Sequence, residues 1–178
     1  MTDPLRIAAI ITAAGSSVRM GGLKKEYRPL PGRFDPNGNP LTVLGAAAAA
    51  FASVEEIRSI VIVVPPGGEQ ATRAALPLFT EAARLSGGEN GPAFPSEYIR
   101  YVPGGPTRRA SVHNALAALK TAAPAYVLIH DGARPWVDEA LIRRAIAAVI
   151  AHNAVVPLLP LTETPKEIDG AGFVRRHL

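Results

Sequence analysis

Ile7-Ala8-Ala9-Ile10-Ile11-Thr12 runs directly into Ala13-Ala14-Gly15-Ser16-Ser17-Val18-Arg19-Met20-Gly21-Gly22-Leu23-Lys24-Lys25-Glu26-Tyr27. The first segment predicts a short apolar strand. The second predicts a small-residue, cationic loop at its carboxyl end. The run 57–64 (IRSIVIVV) predicts a second strand, too continuously apolar to face solvent, and Pro65 and Pro66 end it. Working outward, further strands are expected over 98–102, over 126–129 with His130 and Asp131 at its end, and over 154–159. Helices are expected from near Thr42 to Ala52, over 69–78, over 107–119 behind a GGPT turn, and from an Asp138 cap to about His152. Residues 85–96 (LSGGENGPAFPS) read as a loop, and the tail from Thr162 is polar with turn signals. Strands alternating with helices imply an α/β fold of three layers, a mostly parallel sheet with helices on both faces. Ligands of such folds gather beyond the carboxyl ends of strands. The chemically rich segments 13–25, 104–111 and 130–134 each lie beside a predicted strand end, and that coincidence points to a site.

The chain has 178 residues, 48% of them hydrophobic and 19% charged, a balance that reads as globular with one real core. It has no cysteine, which excludes a disulfide scaffold and any thiolate metal site. The N-terminus MTDPLRIAAI lacks the pattern of a secretion signal, and no apolar run reaches about 18 residues, so a cytoplasmic location and no membrane span are expected. The formal net charge of +4 reads either as an ordinary basic surface or as an excess drawn toward anionic substrates, and the arginines beside the loop motifs favour the second. Nucleic acid is disfavoured, because no basic run is interleaved with aromatics and no zinc-finger spacing occurs.

Four segments carry chemistry. In the first loop, Ala13, Ala14 and Gly15 let backbone N–H groups approach a ligand closely and form an anion nest, with Arg19, Lys24 and Lys25 adding positive charge. Phosphoryl transfer needs these elements, although a plain turn with exposed cations has the same composition. The loop is neither GxxxxGK[ST] nor GxGxxG. In GGPTRRASV, Gly104 and Gly105 permit a tight turn, Arg108 or Arg109 can reach a phosphate or base edge, and Ser111 can donate and accept; Arg109 is the more solvated of the two arginines. In HDGARPW, Asp131 ends a buried strand and can take Mg²⁺, a ribose hydroxyl, or simply Arg134; His130 reads as a packed strand residue. In LTETPKEI, Thr164 and Lys166 can hold a second phosphate or stand as a solvated loop. GxSxG is absent, and no covalent nucleophile is required if a substrate phosphate attacks.

Taken in order, these segments resemble the 2-C-methyl-D-erythritol 4-phosphate cytidylyltransferase family of the isoprenoid pathway. The family's AAGxGxRM and PKQY-like elements resemble residues 13–20 and 24–27, its GGxxRxxSV resembles 104–112, its HDAARP resembles 130–135, and its DTxK resembles 163–166. Ser17 stands for the second loop glycine, Glu26 for glutamine, and GRFDPNGNP (32–40) is longer than the family's turn. The resemblance implies a Rossmann-like nucleotidyltransferase core over 1–153. It also implies a strand and the start of a projecting dimerisation arm over 154–178, with the family's further C-terminal region absent from this sequence. It implies transfer of CMP from CTP to methylerythritol phosphate, with Mg²⁺, in a homodimer that uses neither nucleic acid nor membrane. Arg19 and Lys25 would be catalytic. Ala13, Ala14, Gly15, Gly104, Arg108, Ser111 and Asp131 would bind nucleotide, with Asp131 also the metal ligand. Arg134, Thr164 and Lys166 would bind the phosphorylated alcohol. Two other readings compete: a ribitol 5-phosphate cytidylyltransferase, and a nucleotide-binding module without turnover.

Overall fold

The computed structural model describes residues 6–15, 24–35, 38–79, 98–160 and 166–177. The chain divides into two units, Met1–Arg144 and Ala145–Leu178. The first unit holds strands β1 (Ile7–Thr12), β2 (Pro29–Phe34), β3 (Pro40–Thr42), β4 (Ile57–Val64), β5 (Ile99–Pro103) and β6 (Tyr126–Asp131). Its helices are α1 (Val43–Ala52), α2 (Glu69–Ala74) and α3 (Arg108–Ala118), and α4 (Glu139–His152) begins in it.

β1, β4, β5 and β6 form one parallel sheet in the order β5-β4-β1-β6. Successive side chains of a strand point to opposite faces, so neighbours that are both buried report a sheet covered on both sides. Ile10 and Ile11 of β1 and the whole run 60–63 of β4 have no exposed surface. These two strands are therefore the central ones. α1 packs against β4 and the β2–β3 hairpin, and its Ala46, Ala47 and Ala48 are all buried, small side chains that let the helix lie close. Thr42 starts α1 by accepting the Gly45 N–H at 2.8 Å, and Thr107 starts α3 by accepting the Ala110 N–H at 3.1 Å. Asp138 accepts the Leu141 N–H at 2.7 Å at the head of α4. The chain leaves β1 toward β4 and β5, then crosses back to place β6 on the other side of β1. The carboxyl ends of β1 and β6 thus flank the switch point of the sheet, where crevices form.

Two expectations are corrected, and a segment that carried no assignment gains one. The helix expected over 69–78 stops at Ala74, and a short 3-10 turn, Pro77–Phe79, follows. Pro77 has no N–H for the next helical bond, and its ring disfavours helical geometry in the residue before it. The segment 32–40 belongs to a hairpin, β2 with β3, that the sequence did not suggest because its prolines hide a strand. Asp35 closes it by accepting from the Asn39 N–H at 2.8 Å and the Asn39 side-chain amide at 3.1 Å, while Gly38 takes a φ of +83°. The strand expected over 154–159 is not formed: residues 154–160 are exposed and carry no regular structure. An apolar run becomes a strand only when a partner takes its backbone bonds, and Pro157 and Pro160 offer no donor. Residues 85–96 lie outside the described residues.

In the second unit, β7 (Lys166–Ile168) pairs antiparallel with β8 (Val174–His177). Asp169 shapes the turn, its carboxylate accepting the N–H groups of Ala171 and Phe173, each at 3.0 Å. This is the C-terminal arm that the sequence resemblance implies. No helix among the described residues is long and apolar enough to cross a membrane.

Candidate active site

Thr12 and Asp131 end β1 and β6 and are register partners. The Thr12 hydroxyl donates to Asp131 Oδ1 at 3.4 Å and to the His130 carbonyl at 3.3 Å. The Gly132 N–H returns to the Thr12 carbonyl at 2.9 Å, so the turn after β6 is tied to the end of β1. His130 packs its ring against Phe51 at a centroid distance of 5.1 Å, and its Nε2 bonds the Arg134 carbonyl at 2.9 Å. His130 is thus the packed strand residue expected from the sequence. Burial draws its pKa down, against the backbone bond from Arg134 and the charge of Asp131.

Residues 13–15 continue β1 as a tight loop. The Ala13 N–H donates to the Val63 carbonyl at 2.9 Å, and the Gly104 N–H to the Val64 carbonyl at 2.8 Å, so both glycine-bearing loops, one after β1 and one after β5, are pinned to the end of β4. They touch: a Cβ on Gly104 would lie 2.4 Å from the Ala14 Cβ. Only glycine permits that approach. Ser111 is buried, and its hydroxyl accepts the Gly105 N–H at 3.1 Å, fixing the second loop to the first turn of α3.

Arg108, the first residue of α3, reaches across to Asp131. Its Nη2 and Nε donate to Oδ1 at 2.9 and 3.2 Å, and Arg134 Nε donates to Oδ2 at 3.2 Å. Burial pushes the Asp131 carboxyl up. The Arg108 bond and charge, the Arg134 charge and the Thr12 hydroxyl outweigh it and hold the carboxyl below its ordinary value. Both arginine side chains are well exposed, at 62% and 77%, so these ion pairs contribute little stability and can yield to a stronger anion.

On the facing side stands the 3-10 turn Lys25–Tyr27. The Tyr27 hydroxyl meets the buried Thr72 hydroxyl at 2.7 Å, and Glu26 is buried, which leaves Lys25 exposed toward the cleft. Lys24, beside it, donates to the carbonyls of Ala13, at 3.3 Å, and Gly15. Burial draws the Lys24 ammonium below its ordinary value, against the charge of Glu26.

Together these walls enclose a cleft of about 720 Å³ that Ala14, Gly15, Lys25, Arg108, Asp131 and Arg134 all line. The cleft matches a small polyanion in size and charge, with backbone donors on one wall and cations on two.

A scan against protein families matches residues 7–177 to the model described as IspD, 2-C-methyl-D-erythritol 4-phosphate cytidylyltransferase. The chain belongs to this family. Among curated relatives, the bifunctional enzyme IspD/IspF of Nitrobacter hamburgensis is 40% identical over 178 residues, covering 98% of this chain and 37% of that protein. The bifunctional enzyme IspD/IspF of a Bradyrhizobium strain (ORS 278) is 39% identical, covering 98% and 38%. Among solved structures, the 4-diphosphocytidyl-2C-methyl-D-erythritol synthase of Anaerococcus prevotii has a TM-score of 0.68 at 30% identity, covering 98% of this chain and 64% of that one. The 2-C-methyl-D-erythritol 4-phosphate cytidylyltransferase of Thermus thermophilus has a TM-score of 0.62 at 26% identity, with the same coverage. The chain therefore spans well under half the length of the curated relatives it matches.

Of the residues that the family resemblance singles out, the structure brings Ala14, Gly15, Lys25, Arg108, Ser111, Asp131 and Arg134 to one cleft, with Ala13 and Gly104 directly behind its walls. Lys166 opens β7 in the second unit, in register with His177. Arg19 and Thr164 lie outside the described residues. Arg109 lines a neighbouring groove with His113 and Ile129, and both arginines are exposed. Sequence reasoning missed Thr12, whose signal is a lone hydroxyl ending an apolar strand. It also missed the grip of Lys24 on the loop.

Proposed function

We propose that this chain transfers CMP from CTP to 2-C-methyl-D-erythritol 4-phosphate in the cytoplasm, releasing pyrophosphate. The observation that carries the reading is the convergence of Lys25, Arg108, Asp131 and the two small-residue loops on one cleft at the sheet's switch point. In this reading the loop 13–15 seats the triphosphate and the Gly104–Arg108–Ser111 corner receives the cytosine. An oxygen of the substrate phosphate attacks the α-phosphorus in line. The bond from that phosphorus to its bridging oxygen breaks, and pyrophosphate leaves with the electron pair. Lys25, with Arg19, stabilises the charge that builds on the α-phosphoryl oxygens. Arg134 lies where it can meet the phosphate of the alcohol.

The donor set suits magnesium. Among the described residues no three His, Asp or Glu side chains cluster, and Mg²⁺ is commonly held by one or two carboxylates plus substrate phosphates. Asp131, with its carboxylate facing the cleft, would hold it. The ion would neutralise triphosphate charge and favour the leaving group. Arg108 and Arg134, which bond that carboxylate here, would be the groups available to the phosphates. We also infer a homodimer through the arm, whose Ile168, Phe173 and Val174 are 62%, 72% and 50% exposed, more apolar surface than a solvated hairpin keeps.

The test is pyrophosphate release with Mg²⁺ and CTP, offering methylerythritol phosphate and ribitol 5-phosphate in parallel. Release with the first alone supports the proposal. Release with the second alone reassigns the substrate, and silence with both on a folded chain makes it a nucleotide-binding module.

A further inference from the structure

We propose that Lys24 is a positioning residue for the nucleotide: its ammonium grips the backbone carbonyls of Ala13 and Gly15 and so sets the donors of the loop that seats CTP. The inference rests on the cytidylyltransferase reading and adds a residue to it. Lys24 and Lys25 are adjacent in sequence but differ in what they do. Lys25 is exposed and lines the cleft. Lys24 is half-buried and turns onto the loop, bonding carbonyls 11 and 9 residues earlier in the chain.

Residues 13–15 are held from two directions. The Ala13 N–H is bound to the Val63 carbonyl of β4 at 2.9 Å. The Ala13 and Gly15 carbonyls are bound by Lys24. In a trans peptide the carbonyl of one residue and the N–H of the next point in opposite directions. Holding the Ala13 carbonyl toward Lys24 therefore turns the Ala14 N–H away from it. Both carbonyls accept from a charged donor, a stronger bond than a neutral one. The backbone that lines the cleft is thus preset before any nucleotide arrives, and a small residue such as Gly15 gains most from an external clamp because its own backbone is the least restricted. Burial draws the Lys24 ammonium below its ordinary value, and the charge of the buried Glu26, two residues on, opposes that shift.

The experiment measures CTP binding by calorimetry, with Mg²⁺, on the full chain and on Lys24→Met and Lys24→Arg, with melting temperatures alongside. Steady-state KM values for CTP and for methylerythritol phosphate follow on the same samples. Lys24→Met is expected to weaken CTP binding by about 10- to 100-fold, the worth of a charged hydrogen bond or two. Its KM for the alcohol phosphate stays unchanged. Lys24→Arg restores CTP affinity, because guanidinium can donate to both carbonyls. Lys24→Met binding CTP as tightly as the unaltered chain overturns the inference and leaves the nucleotide reading standing. Equal weakening by both variants with a common fall in melting temperature overturns it in favour of a purely structural lysine. An unaltered chain that binds no CTP overturns the nucleotide reading and this inference together.

Discussion

Gly104→Ala tests whether the two loops must touch for the site to work. The new Cβ would stand 2.4 Å from the Ala14 Cβ, with the Ser111 hydroxyl at 3.1 Å and Val63 Cγ1 at 3.4 Å closing the other sides. Carbon atoms pack at about 3.5–4.0 Å, so the loops must part by about 1 Å. Neither partner in the clash has a rotamer to change, since both are Cβ atoms fixed to backbone. Gly104 is not among the glycines at positive φ, so alanine meets no backbone strain and the effect isolates packing. Overpacking of this size costs about 1–3 kcal/mol, which a domain of ordinary stability survives. A displacement of about 1 Å at a reacting centre costs about 100-fold in rate. Urea denaturation should therefore show a folded but weakened protein, and kcat/KM for CTP should fall about 100-fold. Adding Ala14→Gly removes the other half of the clash and should recover most of both losses, a coupling that independent sites do not show. Stability and kcat/KM unchanged in Gly104→Ala, or no recovery in the double variant, would refute the reasoning.

Gly132→Ala should cost about 1–3 kcal/mol in a thermal melt, because its Cβ would meet Leu44 Cδ1 at 2.8 Å, on a leucine with no exposed surface, and the Thr12 carbonyl, a backbone atom, at 3.1 Å. Thr72→Val removes the hydroxyl that bonds Tyr27 at 2.7 Å and the Gly68 carbonyl at 2.8 Å, which should cost about 1–2 kcal/mol in urea denaturation and lower kcat by loosening the turn that carries Lys25. Asp131 has its carboxyl held below the ordinary value in the folded chain, so its stabilising contribution is present above about pH 4 and is lost as pH falls through the lowered value. The stability gap between the unaltered chain and Asp131→Asn, followed by urea midpoint against pH, should accordingly be flat above about pH 5 and shrink below pH 4.

The sheet was legible because its central strands carry apolar residues at consecutive positions, 7–11 and 60–64, a pattern that burial on both faces rewards. IAAIIT and IRSIVIVV became β1 and β4 with the limits read from sequence. Asp138 was legible as a cap, a short oxygen-bearing side chain just ahead of a helical run, whereas Thr42 and Thr107 read only as helix starts and prove to cap α1 and α3. The run 154–159 misled because apolar content signals the wish to be buried, not the partner that makes burial possible. Leu158 and Leu159 are 84% and 90% exposed. The hairpin over 29–42 was hidden for the opposite reason: its prolines argue against a strand, yet an antiparallel pair with few ladder bonds tolerates them.

The site itself was legible in its parts but not in its wiring. Sequence offered Arg134 as the partner of Asp131 because it lies three residues away. It left Arg108, 23 residues earlier, facing a base or a phosphate. The fold resolves this by placing the first turn of α3 and the end of β6 on opposite lips of one cleft. Asp131 then serves two arginines at once. That arrangement has a consequence for binding. The Arg108 bond to that carboxylate spans the two lips, while Arg134 bonds it from its own lip. On the proposed reading, a triphosphate would compete with that carboxylate for both arginines and leave it free to hold magnesium. The three side chains that pair with one another would then be the ones a nucleotide rearranges, and their charges would matter more to the site than the small stability their exposed pairs provide.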